Sequence, residues 1–219
     1  MKRVILASVA VLSLMLLLTP AFASNVPPNQ VNVANLWTTL GTNPFVSLTP
    51  VSPLLSGAFT LPAKNPSTGF YATQVFAQSN GDLVFAYYVS LDSAPPNPTG
   101  ADVQKISTGD WADNITVDAT QWNQGGTPTP TAASGINRIN GVITMYFQSP
   151  LITPGQQSYD LLLYTNATQW TTDTIGIQDG AGTTVNGFIP LAPTPEPATL
   201  SLLGAGLVGL GTLRKKLQK

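Results

Sequence analysis

The stretch GFYATQVFAQSNGDLVFAYYVSL, residues 69–91, sets two runs of β-branched and aromatic side chains on either side of Asn80-Gly81. Asn-Gly is the pair that a tight type I′ turn selects, because both central residues need positive φ, so the stretch reads as an antiparallel hairpin. The same signal recurs at Asn140-Gly141, between INRI and VITMYFQ. Outward from these hairpins lie further short runs: ITVD (115–118), SYDLLLYT (158–165), TIGIQ (174–178) ending at Asp179-Gly180, and TTVNGFIPL (183–191). No segment between the termini carries helical periodicity. The expectation is an all-β fold over residues 24–191, an antiparallel two-sheet sandwich of jelly-roll-like kind. SAPPNPTGAD (93–102) and GGTPTPTAASG (125–135) lack ladder donors at their prolines and read as long surface loops. Ala119-Thr120-Gln121-Trp122 recurs as Ala167-Thr168-Gln169-Trp170, each after an apolar run, which suggests tryptophans at equivalent edges.

Composition bounds the chemistry. The 219 residues are only 9% charged, contain 19 Gly and 19 Pro, and lack both cysteine and histidine. That removes disulfides, thiolate metal sites and the commonest general base. Between Ser24 and Pro195 three cations (Lys64, Lys105, Arg138) face nine aspartates, a net charge of −6. So acidic a segment repels phosphate backbones, and nucleic acid is not expected as a partner.

Each end is apolar. MKRVILASVAVLSLMLLLTPAFAS opens with Lys2 and Arg3, runs apolar from Val4 to Leu18, and offers Ala21-Phe22-Ala23 as the small residues of a cleavage site. Residues 1–23 therefore read as a secretory signal peptide, cleaved after Ala23. Residues 192–219 hold an uncharged span from Ala198 to Leu213, followed by Arg214, Lys215, Lys216 and Lys219. As a helix this span would be about 24 Å long, short of the roughly 30 Å hydrocarbon core, so it crosses a membrane only with local thinning or snorkelling. With the middle of the chain exported, the basic cluster falls on the cytoplasmic side. Gly204-Ala205-Gly206-Leu207-Val208-Gly209 matches G-x-G-x-x-G, but no strand precedes it and no βαβ unit can follow.

Pro195-Glu196-Pro197 stands just before the span and carries the only glutamate of the chain. The order Pro-Glu-Pro, short Leu/Gly-rich span and terminal basic cluster, behind a separate signal peptide, resembles the PEP-CTERM sorting signal of Gram-negative bacteria. The resemblance implies that a membrane-embedded exosortase recognises Pro195, Glu196 and Pro197 and cleaves near them. Ala198 to Leu213 would be the membrane helix that holds the precursor, and Arg214, Lys215 and Lys216 the basic stop. It further implies an inner-membrane-tethered intermediate, delivery to the cell surface or extracellular matrix, and association with exopolysaccharide and biofilm. A permanent anchor with Pro-Glu-Pro as a plain linker is the competing reading of the tail.

For the domain itself, no catalytic residues, cofactor or metal ligands are assigned. An acid/base pair would have to come from the nine aspartates, each near a turn or strand end where aspartate serves the backbone. Neither Asp-Thr-Gly nor Gly-x-Ser-x-Gly occurs. Asp110-Trp111-Ala112-Asp113-Asn114 clusters oxygens suited to calcium but lacks the glycine and distal glutamate of an EF-hand loop. The alternative to a structural or adhesive role is carbohydrate binding, in which exposed aromatics stack on sugar rings. Trp37, Trp111, Trp122 and Trp170 are the candidates, Trp111 and Trp122 foremost, and an exported glycoside-active enzyme stands third. Asn114-Ile115-Thr116 and Asn166-Ala167-Thr168 are N-glycosylation sequons, and the abundant threonine would equally admit O-glycosylation.

Overall fold

A computed structural model describes residues 26–28, 30–34, 37–62, 66–93, 101–125, 129–148 and 150–191. Among these described residues fifteen strands form two sheets. They are β1 (Gln30–Ala34), β2 (Thr38–Leu40), β3 (Thr49–Pro50), β4 (Leu55–Leu61), β5 (Ser67–Ala77), β6 (Leu83–Leu91), β7 (Lys105–Thr108), β8 (Val117–Trp122), β9 (Thr129–Thr131), β10 (Gly135–Ile139), β11 (Val142–Tyr146), β12 (Gln156–Ser158), β13 (Asp160–Thr165), β14 (Trp170–Asp179) and β15 (Ala181–Pro190). One sheet has the order β1-β10-β11-β7-β14-β15. In the other, β6 is central: β5, carrying β3 and β4, lies on one side, and on the other β13 and β12 lead outward to β8 and β9, with β2 beyond β8. The all-β two-sheet expectation holds. The signal peptide, the Ala21 and Ala23 cleavage site, the Pro195 to Pro197 motif, the Ala198 to Leu213 span and the basic stop lie outside the described residues. No helix among the described residues is long and apolar enough to cross a membrane.

The hairpin of residues 69–91 forms as β5 and β6, paired from Gly69 opposite Leu91 to Ala77 opposite Leu83. Its turn differs from expectation. Only Gly81 has positive φ (89°), Gln78 N–H donates to the Asp82 carbonyl (2.8 Å) and Gly81 N–H to that of Gln78 (3.0 Å). This is the three-residue loop in which a turn is closed by a left-handed glycine. Asn80 instead uses its side chain, whose Oδ1 accepts from Asp82 N–H at 3.1 Å and whose Nδ2 donates to Asp82 Oδ2 at 2.6 Å. At Asn140-Gly141 both residues have positive φ (49° and 74°) and Ile139 pairs with Val142, so there the I′ reading is right.

Two features correct the purely antiparallel, long-loop picture. Strands β2 and β8, and β9 and β12, pair in parallel over three residues each at the sheet margin. The second pair takes Thr129–Thr131 out of the expected loop 125–135 and makes it an edge strand, where Pro130 lacks only a donor that the edge does not need. Nor are the two Ala-Thr-Gln-Trp copies equivalent. The first lies within β8, whereas the second is a connection that reaches β14 of the other sheet at Trp170.

Side chains alternate across the sheets. Phe85, Tyr87, Val89 and Leu91 of β6 point between the sheets and join Leu161, Leu163, Ile106, Ile143, Met145, Ile177 and Phe188 in one core. Tyr87 crosses this core and its hydroxyl donates to the Phe188 carbonyl at 2.9 Å, with burial raising its pKa well above the usual phenol range. At Gly69 a Cβ would collide with the Ser90 carbonyl and the Phe59 ring, so glycine is required where β5 presses on its neighbours.

Both described chain ends lie at one pole. Val26 N–H donates to the Val117 carbonyl (2.6 Å), and Val117 pairs with Thr165 at the start of the 165–169 connection. That connection holds Leu83 N–H through Ala167 (2.9 Å) and Leu191 N–H through Gln169 (3.0 Å). Strands β7 and β14 pair in one sheet and β8 and β13 in the other, so the links β7–β8 and β13–β14 cross between sheets side by side at this same pole.

Candidate functional site

The outward residues of β6 ought to be polar, since that face looks away from the other sheet, yet Val84 and Ala86 are apolar and buried. The cause is the chain between β2 and β3, which crosses this face. Asn43 Oδ1 caps its 3-10 helix, Pro44–Ser47, by accepting from Phe45 N–H at 2.9 Å. Phe45 then lies on Phe76 (centroids 5.0 Å apart) and edge-on to Trp122 (5.9 Å). With Leu48, Val84, Ala86 and Leu162 these rings make a second, smaller core on the outside of the sheet.

The crossing covers only part of the face. Registers place Ala72 opposite Tyr88, and Asp160 opposite Trp122, while Leu161 opposite Tyr87 sets Asp160 beside Tyr88. A groove of about 100 Å³ opens there, walled by Phe45, Phe76, Leu54 and Tyr88, with Gln74 and Asp160 as its polar groups. The Gln74 amide donates to the Ser52 carbonyl at 3.2 Å, and the Tyr88 hydroxyl to Gln157 Oε1 at 2.7 Å. Among the described residues no donor reaches the Asp160 carboxylate, and burial pushes its pKa up to about 6. Burial, and behind it the Asp160 charge, also raises the Tyr88 phenol.

A raised carboxyl pKa makes a signed prediction. The folded protein holds this proton more tightly than the unfolded chain, whose value is near 3.8. The associated stability is complete below the unfolded value and is lost as pH rises through about 6. Asp160→Asn should therefore stabilise the domain by roughly 1–3 kcal/mol near pH 8 and leave it unchanged near pH 3.5. Urea midpoints at the two pH values measure this; equal effects at both would mean that the carboxylate is not desolvated.

Of the expected stacking residues, Trp122 stands behind the groove wall, edge-on to Phe45, whereas Trp111 is 1% exposed and belongs to the main core, edge-on to Phe85 at 5.3 Å. Trp111 therefore cannot serve as a surface platform. Its Nε1–H donates to Thr108 Oγ1 at 3.3 Å and its backbone N–H to Gly141 at 2.8 Å. Trp37 is half-buried and donates to the Gly135 carbonyl (3.1 Å), and Trp170 packs edge-on to Phe188 (4.9 Å). Sequence reasoning missed Phe45, Tyr88 and Asp160, whose apolar and polar neighbours come from strands far apart in the chain.

The aspartates of the 110–114 loop meet a basic neighbour. Arg138 of β10 is 1% exposed and donates from Nη1 to the Ile115 carbonyl and from Nη2 to that of Ala112, both at 2.6 Å. Burial lowers its pKa, which the Asp113 charge partly restores. The positive charge beside Asp113 opposes a calcium ion at that loop, and no group of three or more metal-ligating side chains occurs among the described residues. The two sequons also touch. Asn166 Oδ1 accepts from Thr116 N–H (2.9 Å) and its Nδ2 donates to the Asn114 carbonyl (3.4 Å), which leaves Asn114 the freer of the two amides.

No curated protein and no solved structure matches the chain. A family model does, outside the sandwich: the PEP-CTERM protein-sorting motif matches residues 193–216, which include Pro195, Glu196 and Pro197 and the basic Arg214, Lys215 and Lys216. Two residues beyond the last described position, this chain carries the PEP-CTERM sorting motif, the mark of an exported protein processed by an exosortase.

Proposed function

We propose that the protein is a non-enzymatic structural or adhesive component of the cell surface or extracellular matrix, released there from an inner-membrane-tethered intermediate by exosortase cleavage. In this reading residues 1–23 export the chain, 24–191 are the delivered domain, and 192–219 are the sorting and anchor segment. The observation that carries it is the sorting motif directly behind a domain that has no histidine, cysteine or paired acid and base of known pattern. Intact mass and C-terminal peptide mapping of protein recovered from the native surface test it. A start at Ser24 and an end near Pro197 are expected. A retained 198–219 tail would overturn exosortase processing in favour of a permanent anchor.

A second reading, exopolysaccharide binding, is favoured by the groove. Aromatic walls suit the apolar face of a sugar ring, and an undonated carboxylate suits its hydroxyls. Titration of the protein with the organism's own exopolysaccharide should then change Trp122 fluorescence, and Tyr88→Ala should abolish the change. A titration without response would leave the structural role alone. Falling polymer size would instead reveal a glycoside-active enzyme.

A further inference from the structure

We infer that the pole of the sandwich carrying Val26 and Leu191 is the surface presented to the membrane-embedded processing protease. The inference rests on the sorting role proposed above and adds which surface of the domain meets the protease.

The geometry follows from how Val26 and Leu191 are held. Val26 is fixed to β8 by its bond to Val117, two residues after Ser24, the residue that follows the expected signal cleavage. Leu191 is fixed by Gln169, four residues before Pro195. Fully extended, four residues reach about 14 Å and the seven from Leu191 to Ala198 about 25 Å. Both membrane-linked segments therefore leave the same pole on short leads. While the tail is held in the membrane, the domain cannot turn its opposite pole toward the bilayer, because the domain is longer than the lead: β14 alone, ten residues from Trp170 at this pole to Asp179 at the other, spans roughly 33 Å.

The surface so presented is built from five pieces of chain: the 78–82 turn, the 110–116 loop, the Asn140-Gly141 turn, the 165–169 connection and Leu191. Exposed Asn80, Asn114 and Asn166 stand on it. At the far pole lie Asp92 and Ser93, the Asp179-Gly180 turn and the bonds that Asp179 accepts from Gln104 and Asp102. The outer-face groove lies along the side of the domain, with Asp160 toward one margin and Leu54 toward the other. It remains open to ligand while the pole is engaged.

A protease that acts on a bond so near a folded body must accommodate that body. Shifting a reacting bond by even an ångström can cost on the order of 10²-fold in rate. Deleting Ala192–Thr194 from the full chain draws the tripeptide against the pole, and processing in the native host should fall by about that factor. Inserting a Gly/Ser segment of about ten residues at the same point frees the body from the protease.

The second arm uses the absence of cysteine. Full-length Asn114→Cys and Ser93→Cys variants, each tagged with a bulky polyethylene-glycol maleimide, are presented to membranes that contain the protease. The tag at position 114 should block release of the mature domain, the tag at position 93 should not, and the Gly/Ser insertion should restore release for the 114 variant. Equal processing of both tagged proteins, or normal processing of the deletion variant, would overturn the inference while leaving the sorting role intact. Failure of the untagged natural chain to be processed would overturn the sorting role itself. Circular dichroism of each variant separates misfolding from blocked access.

Discussion

Trp111→Ala is expected to destabilise the domain by about 3–5 kcal/mol, enough to consume a large part of the stability of an ordinary domain. The residue fills the core between the sheets at 1% exposure, meets Phe85 edge-on, and satisfies its ring N–H through Thr108. Truncation loses the transfer energy of the indole, leaves a cavity that two sheets cannot collapse around, and takes one hydrogen-bond partner from the Thr108 hydroxyl. Urea unfolding followed by circular dichroism should show a lower midpoint with an unchanged slope. Trp111→Phe should recover part of the loss. Trp122→Ala, at the half-covered outer cluster, should cost distinctly less, since water can reach the space it leaves. Comparable losses at the two positions would contradict the division into a closed core and an open outer face.

Arg138→Ala should cost roughly 2–5 kcal/mol, chiefly by orphaning the Ile115 carbonyl and by leaving that of Ala112 with the Ile115 N–H alone. The guanidinium spans both acceptors at once, a fork that the single point charge of lysine does not reproduce, so Arg138→Lys should rescue little. The loss should be local before it is global. Amide exchange in residues 110–116 should quicken first, because without Arg138 that loop keeps only the Trp111–Gly141 bond, the exposed bonds of Asn166 to Thr116 and Asn114, and its own Ile115–Ala112 turn. Asp113→Asn should have a smaller effect, since Asp113 is exposed and supports Arg138 only through space. An Arg138→Ala protein with unchanged exchange in this loop would show that the fork is not what holds it.

The residues behind these predictions differ in how far they could be read in advance. Asn140-Gly141 was fully legible, because its turn needs only local backbone preference. Asn80-Gly81 was half legible: a hairpin formed, but the Asn80 side chain bonded Asp82 and left the left-handed position to Gly81 alone. Trp111 looked like a surface aromatic because it stands among Asp110, Asp113 and Asn114. Only the long-range Gly141 contact and the Phe85 ring draw it inward. Nothing local distinguishes Arg138 in INRI from an ordinary solvent-facing residue, since the carbonyls that bind it lie 23 and 26 residues earlier in the chain.

The amino-acid order alone therefore determined the strand-rich middle, its main hairpin positions, its acidic character and the sorting motif at residues 193–216, because each is written in contiguous residues whose preferences act over a few bonds. The tertiary structure decided which face of β6 a crossing segment would cover, that Tyr88, Asp160 and Phe45 share a groove, and that both ends of the described chain emerge at one pole. Those outcomes depend on strand order and register between segments tens of residues apart, and no local preference encodes them.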